Sequence, residues 1–192
     1  MIPEVAQSPY QKNTRQARCV RRQTVNYLKK LDLHCKILDI GARSPLSDAI
    51  EKELGLKVVN TTGDLDYSFS VPVRGSNFIL YSHTLEHQFN PLFTLQELRK
   101  RLYGSMLIIL PSRPKFLWSK GHYHEIDHYR MKLLLKRAGY RIVSYKRVKF
   151  WRDWWQYLSF RGIMRLLFEY NAYYLVKPFT RNIAVFEFPK SK

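Results

Sequence analysis

Four short apolar runs, separated by segments that read as helices, constrain this chain more than any other feature. Lys36-Ile37-Leu38-Asp39-Ile40-Gly41 reads as a buried strand ending in a turn, and Lys57 to Thr62 as a second strand. Phe78-Ile79-Leu80-Tyr81-Ser82 is a third, and Ser105 to Leu110, stopped by Pro111, a fourth. Helices fit between them. Pro45 and Gly55 frame one through Leu46 to Leu54. Pro91 opens another, with Leu92, Leu95, Leu98 and Leu102 at helical spacing and Gly104 closing it. Asp127 is placed to cap a helix through Lys136 that Gly139 ends. Gly63 to Asn77 reads as turn. Strands alternating with helices predict an α/β protein built on a mostly parallel sheet with helices on both faces.

Tyr140 to Phe150 and Asn182 to Phe188 read as the last two strands, without a crossover of the earlier kind, and predict antiparallel pairing at one edge. The outline is Rossmann-like, with ligands expected at the carboxyl ends of the first strands. The chain's 192 residues suit one domain. Within it, 1–35 is a basic N-terminal helix and 36–149 the core. Residues 150–180 are an aromatic and basic insertion, and 181–192 the final strand and tail. The helix, Thr14 to Leu31, carries Arg15, Arg18 and Arg22 along one side and a thin apolar set of Val20, Val25, Leu28 and Leu31.

Charge sharpens the picture. The net charge is +18, but residues 37–128 hold 10 basic and 10 acidic groups, so the excess lies in the two flanks. A neutral core with basic flanks predicts an anionic partner: nucleic acid, acidic lipid or a phosphorylated substrate. Cys19 and Cys35 make no disulfide framework and fit a reducing compartment. No apolar run is long enough to cross a bilayer, and the N-terminus lacks the apolar core of a secretion signal. The expectation is a cytoplasmic protein, with peripheral attachment at the inner membrane surface as an added reading.

Sixteen of the 28 aromatic residues fall after His128, and Phe150 to Phe179 is the most unusual segment. Trp151, Trp154, Trp155 and Leu158 fit one helical face; the phase breaks at Gly162, and Ile163 to Phe168 form a second apolar cluster flanked by Arg161 and Arg165. Three readings stand open: a helical lid over the sheet, an interfacial membrane segment, or an aromatic platform for bases in a basic groove.

Four stretches together resemble the class I S-adenosylmethionine-dependent methyltransferases, particularly the compact type 11 branch. Ile37 to Ala42 resembles the first-strand cofactor motif, and Phe78 to His87 the fourth strand with its Leu-Glu-His ending. Leu95 to Pro111 resembles the helix, glycine turn and fifth strand that follow. His122-Tyr123-His124-Glu125-Ile126-Asp127-His128-Tyr129-Arg130, running on to Tyr140, resembles the loop and helix before the sixth strand.

The resemblance implies methyl transfer from S-adenosylmethionine to an acceptor oxygen or nitrogen, and the positive flanks point to an anionic or membrane-associated acceptor. A glycolipid or polyprenyl-linked sugar comes first and RNA second. It implies cofactor contacts at Asp39, Gly41, Ala42, Arg43, Asn60, Asp64, Ser82 and His83. The glycine lets backbone approach the methionine end, and acidic groups suit the ribose diol. Arg43 and Pro45 replace further glycines of the family pattern, with Arg43 either folding back over the cofactor's carboxylate or pointing to solvent, and Asn60 stands where an acidic residue is usual. His87, His122 and His124 are the candidate bases, since imidazole titrates near neutral pH. Glu86, Glu125, Trp151, Trp154 and Trp155 are candidate acceptor contacts, with His83 also facing the acceptor. His122, His124 and His128 with Glu125 and Asp127 have the make-up of a metal cluster; without a fourth ligand, no metal is expected. A non-catalytic nucleic-acid-binding or membrane-binding protein on the same fold is the alternative.

Overall fold

The computed structural model describes residues 14–72, 78–118 and 122–179. The chain enters through α1 (Arg15–Lys29), whose first turn is capped by the Thr14 hydroxyl accepting from the Ala17 amide. β1 (Ile37–Asp39), α2 (Pro45–Leu54) and β2 (Val58–Asn60) follow as the first β-α-β unit. β3 (Thr62–Asp64) and β4 (Ser68–Ser70) form a separate antiparallel hairpin. Next come β5 (Phe78–Ser82), α3 (Pro91–Arg101) and β6 (Met106–Ser112). α4 (His128–Arg137), β7 (Tyr140–Val148), α5 (Phe160–Phe168) and β8 (Tyr170–Pro178) complete the described chain. Six strands make one sheet in the order β2-β1-β5-β6-β8-β7. β2, β1, β5 and β6 are parallel, and β8 lies antiparallel between β6 and β7.

Both faces are covered at β1, β5 and β6, which is why these strands read as near-continuous apolar runs, whereas the edge strand β7 is largely exposed. Successive residues point to opposite faces. Leu38, Ile79, Tyr81, Ile108 and Tyr174 pack with Leu95, Leu98 and Met131 beneath α3 and α4. Ile37, Leu80, Leu107, Ile109 and Tyr173 pack with Val25, Leu28 and Ile50 beneath α1 and α2. The expected starts and stops hold at α2, where Ser44 caps, Pro45 leads and Gly55 closes in the left-handed conformation. Asp127 caps α4 as expected, accepting from the Arg130 amide.

Three expectations are corrected. Pro111 does not stop β6, which runs to Ser112. Pairing with β5 ends at Ile109, so the proline sits where β6 has a neighbour on the β8 side alone and no bond to β5 is lost. The antiparallel strand is Tyr170–Pro178, inside the segment read as insertion, and the predicted strand Asn182 to Phe188 lies outside the described residues. Between β7 and β8, the tryptophans do not share one helix. Trp154–Tyr157 is a short 3-10 turn, and α5 starts afresh behind the Ser159 cap.

Gly162 decides how α5 sits. A Cβ there would lie 1.9 Å from the Gln156 carbonyl oxygen, so the helix packs directly on the backbone of the preceding turn. Gly162→Ala is expected to cost roughly 1–3 kcal/mol, read from urea unfolding, and to open residues 154–168 to limited proteolysis. An equally stable, equally protected variant would contradict this packing.

Candidate functional site

The strand order reverses direction between β1 and β5: β2 lies to one side, β6 to the other. The crevice beyond the carboxyl ends of such a pair is where open α/β sheets bind ligands. Here it is built by Asp39 and Gly41 after β1, and by Ser82, His83 and Thr84 after β5. Gly41 has φ 110°, a conformation that favours glycine, and a Cβ there would approach no atom closer than 3.6 Å, the Thr84 hydroxyl. Thr84 ties the two strand ends by donating to the Ile40 carbonyl (3.3 Å). His83 adopts φ 52°, uncommon for a residue with a side chain, and is buried. Such conformations gather at functional sites.

Asp39 is fully enclosed and accepts from the Ser47 hydroxyl at 2.7 Å. Burial raises its pKa from 3.8 to about 6, against the lowering effect of its hydrogen bonds to Ser47 and Asn60 and the charge of Arg43. The Asn60 amide nitrogen donates to the Gly41 carbonyl (3.2 Å), leaving its oxygen as the atom to offer a hydroxyl. Thr61, which sequence reasoning missed, accepts from the Gly41 amide at 2.8 Å. Ala42 is exposed at the rim of the same turn.

Two expected cofactor contacts are corrected. Arg43 turns away from the crevice and pairs with Asp48 (2.7 Å) and Glu51 on the outer face of α2. Two carboxylates on the exposed helix hold its cation outside the turn. Asp64 is exposed at the end of β3, where its carboxylate accepts from the Asp66 amide (2.9 Å) and serves the hairpin turn. Asp66 in turn accepts from the amides of Phe89 and Asn90, anchoring the hairpin to the start of α3.

The second half of the site lies beyond β5 and β6. Glu86 is buried in the turn Leu85–His87, with Oε1 3.3 Å from His83 Nδ1 and no hydrogen-bond partner for Oε2 among the described residues. Its backbone carbonyl accepts from the amides of Tyr123 and His124, which pins the histidine loop over β5. The rings of His87 and His122 meet edge to face at 4.7 Å. His122 Nδ1 lies 3.0 Å from Arg113 Nη2 and 3.1 Å from Glu125 Oε1, so it can accept from the guanidinium or donate to the carboxylate.

Arg113 is the main residue sequence reasoning missed. Its guanidinium is buried and pairs with Glu125 (3.0 Å) and Glu169 (3.1 Å). Arg152 meets Glu169 from the other side at 2.9 Å. The signal available was an arginine just beyond a strongly apolar strand, but its partners lie up to 56 residues away in sequence. Glu125 is therefore held in this ion-pair network. His124 Nε2 lies 3.1 Å from the Phe89 carbonyl oxygen, so that nitrogen carries a proton and donates, which leaves Nδ1 as the atom to accept one. His128 pairs instead with the Tyr174 hydroxyl. His122, His124 and His128 thus have three separate partners and do not converge on a metal. Among the described residues, Glu86, His87 and His122 do bring ligand atoms within 4.8 Å of one another. The Arg113 cation against His122 disfavours a metal ion there. Trp151, Trp154 and Trp155 are exposed, and Trp151 lines a groove with α1.

No family model and no curated protein matches the chain. Solved structures do. An S-adenosylmethionine-dependent methyltransferase from Archaeoglobus fulgidus is similar with a TM-score of 0.56 and 17% identity, covering 82% of this chain and 94% of that one. The fold is that of the class I methyltransferases. A putative methyltransferase from Bacillus halodurans C-125 is similar at TM-score 0.52 and 13% identity, over 79% and 95% of the two chains. The [4+2]-cyclase SpnF is similar at TM-score 0.55 and 13% identity, over 85% and 82%. A methyltransferase fold therefore hosts more than one reaction, and function must be argued from the site.

The residues present fit S-adenosylmethionine. Asp39 and the Gly41 turn would offer an acceptor and close backbone approach to the cofactor's methionine end, and the Asn60 amide oxygen would serve its ribose in place of a carboxylate.

Because burial raises the Asp39 pKa, the native state binds the proton more tightly than the unfolded chain. The stability this confers is full below pH 3.8 and is lost as pH rises through about 6. Asp39→Asn is expected to lack this loss, so the difference between the proteins shifts by roughly 3 kcal/mol in the variant's favour across that window. Urea unfolding at a series of pH values checks it; parallel curves would contradict the buried carboxylate.

Proposed function

We propose that the protein transfers a methyl group from S-adenosylmethionine to a hydroxyl or amine of an anionic acceptor. A glycolipid or polyprenyl-linked sugar is the favoured class. The observation that carries the reading is the turn after β1, where a buried Asp39 and a positive-φ Gly41 close against Thr84 at the point where the strand order reverses. The sequence motifs that resemble the type 11 branch lie on the elements that build this crevice, which supports placing the chain in that branch.

S-adenosylmethionine, when bound, supplies an electrophilic methyl group on a sulfonium. Asp39 and the Gly41 turn orient its methionine end, and Asn60 and Ser82 stand at the rim of the same crevice. His87 takes the acceptor proton. His122, held through Nδ1 by Arg113 and Glu125, keeps the acceptor oxygen in line. The buried turn around Glu86 and the pinned histidine loop limit water at this end.

The anionic class rests on charge. Arg113, Arg152, Arg161 and Arg165 gather around two carboxylates, Glu125 and Glu169, so positive charge is in excess. Burial, and then the neighbouring Arg152 cation, lower the Arg165 pKa, the mark of a cation short of partners.

Calorimetric titration with S-adenosylmethionine and S-adenosylhomocysteine is expected to show binding that Asp39→Ala abolishes. With an acceptor in hand, His87→Ala is expected to lower turnover by roughly 10²–10⁴-fold, leaving S-adenosylhomocysteine affinity unchanged. Absence of cofactor binding with and without acceptor extracts would overturn the reading.

A further inference from the structure

The segment between β7 and β8 is an exposed apolar surface joined to a cationic one. Trp154, Leu158 and Phe160 are 68%, 73% and 77% exposed, although each is large and apolar. Phe160, Ile163 and Leu167 continue the surface at the i, i+3, i+7 spacing of one helical face of α5, and all three are exposed. Soluble monomers seldom leave such a patch bare without use. Nor is it loosely hung. Ser159 caps α5, Gly162 seats it on the preceding turn, and Arg152 ties the segment to buried Glu169.

The cationic part comes from the other end of the chain. Gln23 of α1 donates to the Lys149 carbonyl at 2.6 Å, which brings the start of the aromatic segment onto the helix. Trp151 and the exposed Arg15, Arg18 and Arg22 then line one open groove of about 480 Å³ with Cys19. Residues more than 125 positions apart in sequence thus meet at Trp151, three residues before the exposed Trp154.

We propose that this surface docks on a bilayer carrying anionic lipid, with the 154–167 face in the headgroup–acyl boundary and the α1 arginines on the phosphates. Leu158, Ile163 and Leu167 are aliphatic; they gain by entering hydrocarbon and offer nothing for a base to stack on. Tryptophan suits the boundary, and arginine keeps its head in water while its stem covers apolar surface. The charge selects anionic over neutral lipid. Docking of this kind goes beyond methyl transfer and does not depend on it, since it is read without cofactor. Failure to bind S-adenosylmethionine would leave it standing.

The test is flotation of the full chain with vesicles of phosphatidylcholine alone and with phosphatidylglycerol added, following tryptophan emission. Partition onto the anionic vesicles with a blue shift is expected, and little onto the neutral ones. Arg18→Gln and Arg22→Gln are each expected to weaken it roughly fivefold at low salt. Phe160→Ser with Ile163→Ser is expected to abolish the blue shift. All four residues are exposed, so circular dichroism and S-adenosylhomocysteine titration should be unchanged. No partition onto anionic vesicles would overturn the proposal. Binding that the serine variant leaves intact would too, as would tight binding of a single-stranded RNA oligonucleotide with none of vesicles. A concentration-dependent dimer that those substitutions dissolve, without vesicle binding, would assign the face to a second copy instead.

Discussion

A buried carboxylate at the head of β8 holds the functional end of this molecule together. Glu169 is almost fully enclosed, and an unpaired charge in that position would not be tolerated. Arg113, just past the end of β6, and Arg152, past the end of β7, both meet it. Arg113 at the same time holds Glu125 and fixes one nitrogen of His122. One set of charges therefore joins two strand ends, the aromatic segment and the histidine loop. Removing one member would strand the others in a poorly solvated place, at a cost of about 3–5 kcal/mol. The position of α5, and with it the exposed apolar face, follows from the same contacts.

The two halves of the crevice are built on different physics. Around β1 the groups are neutral or protonation-sensitive: a carboxyl lifted toward neutrality by burial, hydroxyls of Ser47, Thr61 and Thr84, and an asparagine amide. Around β6 they are permanently charged, with arginines in excess. The hairpin β3–β4 takes the place of a further helix–strand unit. It is fastened to the start of α3 by Asp66.

The part of this arrangement legible in the sequence was the part governed by local rules. Periodicity and the Pro, Gly, Ser and Asp end signals gave β1, α2, β5, α3 and α4 nearly residue by residue, because each is decided within one element. Asp39 and Gly41 were named from the resemblance of Ile37 to Ala42 to a first-strand cofactor motif, and the structure sets them at the end of β1 and in the turn after it. What could not be read was where distant charges meet. Arg43 appeared to crowd the cofactor turn, and the two carboxylates that draw it outward are five and eight residues further on, on a helical face. Arg113 carried no local signal, since its role depends on Glu125 and Glu169. β8 was hidden because its aromatics continue those of the insertion, with only Glu169 separating α5 from the strand.

The central claim is that S-adenosylmethionine lies against the turn after β1. Amide hydrogen exchange with and without S-adenosylhomocysteine tests it most directly, because it locates the ligand on the backbone without needing the acceptor. The account predicts slowed exchange at Ile40 to Ala42 and at Asn60 to Gly63, with a smaller effect at His83 and Thr84. Protection confined to α1 and the 151–168 segment, or none at a saturating concentration, would contradict it.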